Sequence, residues 1–126
     1  MLLAVCKATG WDCECIPRIA SGLGGGLGRQ GEVCGALTGG VLVVGLVHGR
    51  DSAEEKEAKE VAHGKAGEFV RRFAELNGTV RCRDLIGLDI RTEKGIQEYK
   101  ALNLKEEKCS KIVRNAVRAI LELLVD

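Results

Sequence analysis

The chain has 126 residues, 45% of them hydrophobic and 29% charged, a size and balance that fit one domain with its own core and exclude a disordered chain. Nineteen Lys and Arg stand against 18 Asp and Glu, and aromatic residues make up only 3%. Neither the basic stripe nor the stacking rings of a nucleic-acid binder are present.

In chain order, Leu2 to Ala8 reads as a short helix stopped near Gly10, and Trp11 to Ile16 as a turn that holds Cys13 and Cys15. Pro17 suits the first position of another short helix through Ala20. Residues 22–31 are too glycine-rich for a regular element, so they predict a loop that makes unusual turns or lies close against something. Residues 33–48 are apolar nearly all round, which predicts a fully buried central helix. A pair of buried strands is the competing reading, weakened by Gly35, Gly39, Gly40 and Gly45. Gly49 suits the position just past the helix end.

Residues 52–77 give the clearest helical pattern. Ser52 and Glu55 read as a capping box, and Ala58, Ala62, Ala66, Phe69, Phe73 and Leu76 share one face. Asn77-Gly78 ends it. Short helices are expected around Cys82 and from a Thr92 cap through Leu102. Asn103 and Glu106 form a second capping box, opening a C-terminal helix over 104–124 with Ile112, Val113, Ala116 and Ile120 on its apolar face. The class is all-α: one helical domain over 1–126, built around a glycine-rich buried central helix.

The six cysteines are too sparse for a disulfide scaffold. The first residues carry no basic region and too short an apolar run for a signal peptide, so a reducing, cytoplasmic setting is expected. The longest uncharged run, Val33 to Val47, falls short of the ~18 residues of a membrane span. Gly26-Leu27-Gly28-Arg29-Gln30-Gly31 matches GxGxxG, and Asp51 follows about 20 residues on, but no strand precedes the loop as a dinucleotide site requires. Anion binding by backbone N–H groups there is a distant third hypothesis.

Cys34 follows the glycine loop and opens the central helix. A helix N-terminus lowers a thiol from about 8.5 toward ~7, although Glu32 opposes this. Cys82 lies between Arg81 and Arg83, which favour its thiolate if they point at it. Cys109 falls on the apolar face with Ile112 and Val113 and reads as a core residue unless Cys34 or Cys82 meets it. Cys6 and the Cys13-x-Cys15 pair lack the spacing of a strong zinc motif. His48 reads as a cation at a helix C-terminus, and His63 as solvated.

Two stretches, Ile19-Ala20-Ser21-Gly22-Leu23-Gly24-Gly25-Gly26 and Gly31-Glu32-Val33-Cys34-Gly35-Ala36-Leu37-Thr38-Gly39-Gly40, carry a resemblance. With Arg81-Cys82-Arg83-Asp84-Leu85-Ile86-Gly87 and Cys109-Ser110-Lys111-Ile112-Val113, the chain resembles the redox-active proteins named for a C–GCAxxG–C–C cysteine pattern, over about Ile16 to Leu124. The resemblance implies a small α-helical domain with a thiol- or metal-based redox role, and Cys34, Cys82 and Cys109 as both catalytic and metal-ligand candidates. Two departures stand out. The family's first cysteine has no counterpart, since it belongs on a helix that would begin upstream of Met1. The motif here also reads Cys34-Gly35-Ala36 in place of Gly-Cys-Ala.

The leading expectation is therefore a redox cysteine protein that exchanges thiols and disulfides or ligates zinc or an iron–sulfur centre, with Cys6, Cys13 or Cys15 supplying a fourth ligand. A redox partner protein and a homodimer are the partners left open; nucleic acid and membrane are not expected. The alternative is a non-enzymatic helical oligomerisation module whose cysteines are buried hydrophobes.

Overall fold

The structure, a computed structural model, describes residues 1–125. Helix α1 spans Leu2–Thr9 and ends at Gly10, which takes the left-handed conformation at φ 80. A 3-10 segment, Arg18–Leu23, follows Pro17 and leads into α2, Gly24–Leu27. Helix α3 spans Gly35–His48, α4 Lys56–Asn77, α5 Cys82–Ile86, α6 Glu93–Ala101 and α7 Ser110–Val125. The all-α expectation holds, and the described residues include no strand.

Helix α2 is a single turn wound the unusual way. Gly25, Gly26, Leu27, Gly28 and Arg29 have φ between 63 and 70. Side chains other than glycine resist that hand, so three glycines in five positions make the turn affordable. The glycine-rich stretch is thus a left-handed turn, not open loop.

Helix α3 packs against α1, α4 and α7. It is not buried all round: Ala36, Leu37, Gly39, Gly40, Val43 and Val44 face inward, while Val41 and Val47 are exposed. Gly40 lets α4 approach, since a methyl group there would overlap the Phe69 ring. Gly49 is extended, at φ −67 and ψ 160, so its freedom at positive φ is not used.

Helix α4 starts at Lys56, four residues after Ser52, and no side chain caps it. Ser52 instead bonds Glu54, and the Glu55 carboxylate accepts from the Asp51 N–H, so the capping-box residues close a turn before the helix. Phe69 and Phe73 are fully buried as expected, but Leu76 is exposed. The Thr92 cap is present, its hydroxyl accepting from the Gly95 N–H at 3.0 Å.

The second capping box is also absent. Asn103 has φ 52 and receives the Glu106 and Glu107 N–H groups on its backbone carbonyl. Lys105–Cys109 then forms a π-helical turn that runs directly into α7. Such an inserted turn changes which face each residue presents. Ile112 and Val113 pack on the main core, beside Phe73, Ala116 and Ile120. Cys109 instead packs on a second, smaller cluster of Cys82, Ile86, Ile90 and Leu104. Its expected place on the main apolar face is therefore corrected by the extra residue in the turn.

Candidate thiol site

The glycine turn is tied to α5 by backbone bonds. The Cys34 N–H donates to the Val80 carbonyl (2.8 Å), and the Cys82 N–H donates to the Glu32 carbonyl (2.6 Å). These bonds frame an antiparallel bridge between Val33 and Arg81. Side chains alternate along extended backbone, so Cys34 and Cys82, each one residue beyond the bridged pair, leave the ladder on the same side. The two cysteines that sequence places 48 residues apart are thus set diagonally across one bridge.

A cavity of about 1090 Å³ opens between the two hydrophobic clusters. Its wall includes Cys34 at the start of α3, Cys82 at the start of α5 and Cys109 at the end of the π turn. The structure therefore brings together all three cysteines singled out in the sequence. Two of them sense their neighbours: the charges of Cys34 and Cys109 act on Cys82, and that of Cys109 acts on Cys34. Cys6, Cys13 and Cys15 are not part of the wall.

Burial pushes the Cys34 thiol up. The Ala36 and Leu37 N–H groups pull it down without closing a full capping bond, and the Cys109 charge adds to the rise. The expected drop toward neutral is corrected: desolvation outweighs the helix N-terminus when the sulfur is mostly enclosed. Cys82 is pushed up to about 11 by burial, then by the charges of Cys34 and Cys109. Its flanking arginines do not help. Arg81 pairs with Glu32 at 3.3 Å, and Arg83 donates to the Gln30 carbonyl at 3.2 Å, so both guanidinium groups hold the glycine turn.

Sequence reasoning missed Tyr99, the one tyrosine of the chain. Its hydroxyl donates to Cys109 Sγ at 3.4 Å. Burial and that bond raise the phenol, so it keeps its proton and remains a donor. The only signal was an aromatic ring on α6 ten residues before a cysteine, which names no contact. Arg29, Lys100 and Lys105 were missed as well. They bring positive charge to the wall, and among the described residues no Asp or Glu side chain lines it.

Among the described residues, no group of three or more His, Cys, Asp or Glu side chains is gathered closely enough to hold a metal ion. The three thiols are neighbours around a cavity, without a fourth ligand of these types in its wall. That arrangement does not fit the four-coordinate zinc or four-thiolate cluster that the resemblance implies. No helix among the described residues is long and apolar enough to cross a membrane.

Fold and site together define a small all-helical protein with a three-cysteine cavity floored by a glycine turn. A family model described as "Putative redox-active protein (C_GCAxxG_C_C)" matches residues 1–123, and the chain belongs to that family. The match begins earlier than Ile16 and takes in α1. The chain is also similar to an "Uncharacterized protein" of Archaeoglobus fulgidus, 28% identical over 120 residues, covering 90% of this chain and 73% of the relative. No solved structure matches it.

Proposed function

We propose that the cavity exchanges thiols with small anionic disulfides, Cys34 attacking, Cys82 resolving and Cys109 standing by as a third sulfur. One observation carries this reading: three cysteines from three separate elements share a wall with Arg29, Lys100 and Lys105 and, among the described residues, with no Asp or Glu side chain. Such a lining draws in a negatively charged molecule and offers it sulfur.

The thiolate is the attacking species. Burial opposes both anions, but Cys34 is favoured because N–H groups at the start of the 14-residue α3 support its anion, whereas no such group supports that of Cys82 and both neighbouring thiols oppose it. Cys34 loses its proton and attacks one sulfur of the incoming disulfide. A Cys34–substrate bond forms, the substrate S–S bond breaks, and the first substrate thiolate leaves and takes up a proton. Cys82 then loses its proton and attacks Cys34 Sγ, so that a Cys34–Cys82 bond forms and the second substrate thiol is released. Two electrons pass from protein to substrate. The neutral product disulfide suits an apolar wall better than a thiolate does.

Diagonal neighbours across an antiparallel pair stand roughly 7–8 Å apart, against a ~7 Å Cα limit for a disulfide. Closure therefore needs a backbone movement of about an ångström.

Oxidised glutathione, an anionic disulfide, is the probe. Folded wild-type protein is expected to lose the Cys34 and Cys82 thiols together and retain no glutathione there. Cys82→Ser is expected to trap one glutathione on Cys34. If Cys34 stays unmodified in both, the exchange reading fails. Stoichiometric zinc, or iron with sulfide, held through these thiols in anaerobically purified protein would replace it with metal ligation.

A further inference from the structure

The turn between α1 and the 3-10 segment carries a second pair of sulfurs, unconnected with the cavity. Cys13 Sγ and Cys15 Sγ lie 2.8 Å apart. The backbone holds them there. The Ile16 N–H donates to the Cys13 carbonyl at 3.0 Å, the Ile19 N–H donates to the Cys15 carbonyl at 2.8 Å, and the Cys13 N–H donates to Asp12 Oδ1 at 2.7 Å. Cys15 is exposed and Cys13 half-exposed. Two sulfurs fixed within contact on an exposed turn need little rearrangement to form or break a bond.

We propose that Cys13 and Cys15 are a solvent-facing dithiol/disulfide pair that exchanges with positively charged disulfides. Their contact is reciprocal: either sulfur can donate to the other, so whichever loses its proton first is supported by the S–H of its neighbour. Asp12 and Glu14 oppose the Cys13 anion, and Cys6 lies near enough to feel the charge of Cys13. Either cysteine can attack, and its neighbour then resolves. The two carboxylates beside the pair repel an anionic disulfide and attract a cationic one, the opposite of the cavity. In exchange, the thiolate of one cysteine attacks one sulfur of the disulfide and expels one thiol. The other cysteine then loses its proton, attacks the Sγ of the first and expels the second thiol. The protein gives up two electrons and two protons, and the disulfide becomes two thiols. An exposed disulfide of this kind is among the easily reduced ones.

The test does not depend on the cavity. Trypsin cuts after Lys7 and Arg18, so Ala8 to Arg18 emerges as one peptide holding both cysteines and no others. Folded protein is treated with cystamine, a cationic disulfide, or with oxidised glutathione at equal concentration, and the peptide is weighed with time. Cystamine is expected to oxidise the pair several-fold faster, with the advantage shrinking as salt is added. Cys15→Ser is expected to trap one cystamine half on Cys13, and Cys13→Ser to trap one on Cys15. A peptide that keeps two free thiols in cystamine overturns the proposal. So do single-serine variants that trap no cystamine half, or a preference for oxidised glutathione.

Discussion

Gly26 lies directly against Cys82: a methyl group on Gly26 would stand 2.7 Å from Cys82 Cβ and 2.6 Å from the Glu32 nitrogen. Its φ of 70 is also a conformation that side chains resist. Both demands fall on the residue that seats the glycine turn against a cavity thiol. Gly26→Ala is expected to cost roughly 1–3 kcal/mol and to displace Cys82. Urea unfolding should show a lower midpoint and alkylation of Cys82 should quicken; no change in either would mean that the contact does not set the wall.

Gly40 and Gly45 lie on the same helix and should answer alanine in opposite ways. A methyl group on Gly40 would overlap the Phe69 ring, whereas Gly45 has open space around it. Gly40→Ala is expected to cost about 1–3 kcal/mol through overpacking. Gly45→Ala is expected to stabilise by roughly 0.5–1 kcal/mol, because helical glycine is costly. Thermal melts of the two variants should move in opposite directions from wild type.

The raised Cys82 thiol gives a pH dependence with a definite sign. Its folded value of about 11 lies above the ordinary 9.0, so the unfolded chain releases this proton first. The contribution is complete below the unfolded value and declines as pH rises from about 9 to about 11. Its size is on the order of 1 kcal/mol, since the group is not wholly enclosed. Urea midpoints at pH 8 and pH 10.5 should fall further for wild type than for Cys82→Ala. Equal falls would show that Cys82 does not carry the effect.

Tyr99→Phe keeps the ring and removes the donor to Cys109. The expected cost is about 0.5–1.5 kcal/mol, the net worth of one hydrogen bond. The sharper readout is selective: Cys109 alkylation should change while that of Cys13, on the far turn, does not. A uniform change at every cysteine would indicate loosening of the whole fold.

The helices were legible because apolar spacing and breakers act locally. Phe69 and Phe73 announced the buried face of α4, and Gly78 its end. The start of α4 was not legible, because Ser52 and Glu55 satisfy a turn as readily as a cap. The convergence of Cys34, Cys82 and Cys109 followed from the family resemblance, not from spacing, since what joins Cys34 to Cys82 is a single bridge between distant segments. Cys109 turned away from Ile112 and Val113 because a π turn adds a residue that no 3.6-residue pattern shows. The ionisation of Cys34 was misjudged for a related reason. The helix start was visible in sequence, but the burial that outweighs it arises only once the chain is folded.

Peptide mass mapping of the folded protein, equilibrated with oxidised glutathione and then alkylated, bears most directly on the cavity. A cross-linked pair of peptides joining Cys34 to Cys82 is expected, rising as free Cys34 and Cys82 fall in step. If both remain free thiols once the exposed Cys13–Cys15 peptide is fully oxidised, the cavity cysteines do not exchange with anionic disulfides and the central claim is wrong.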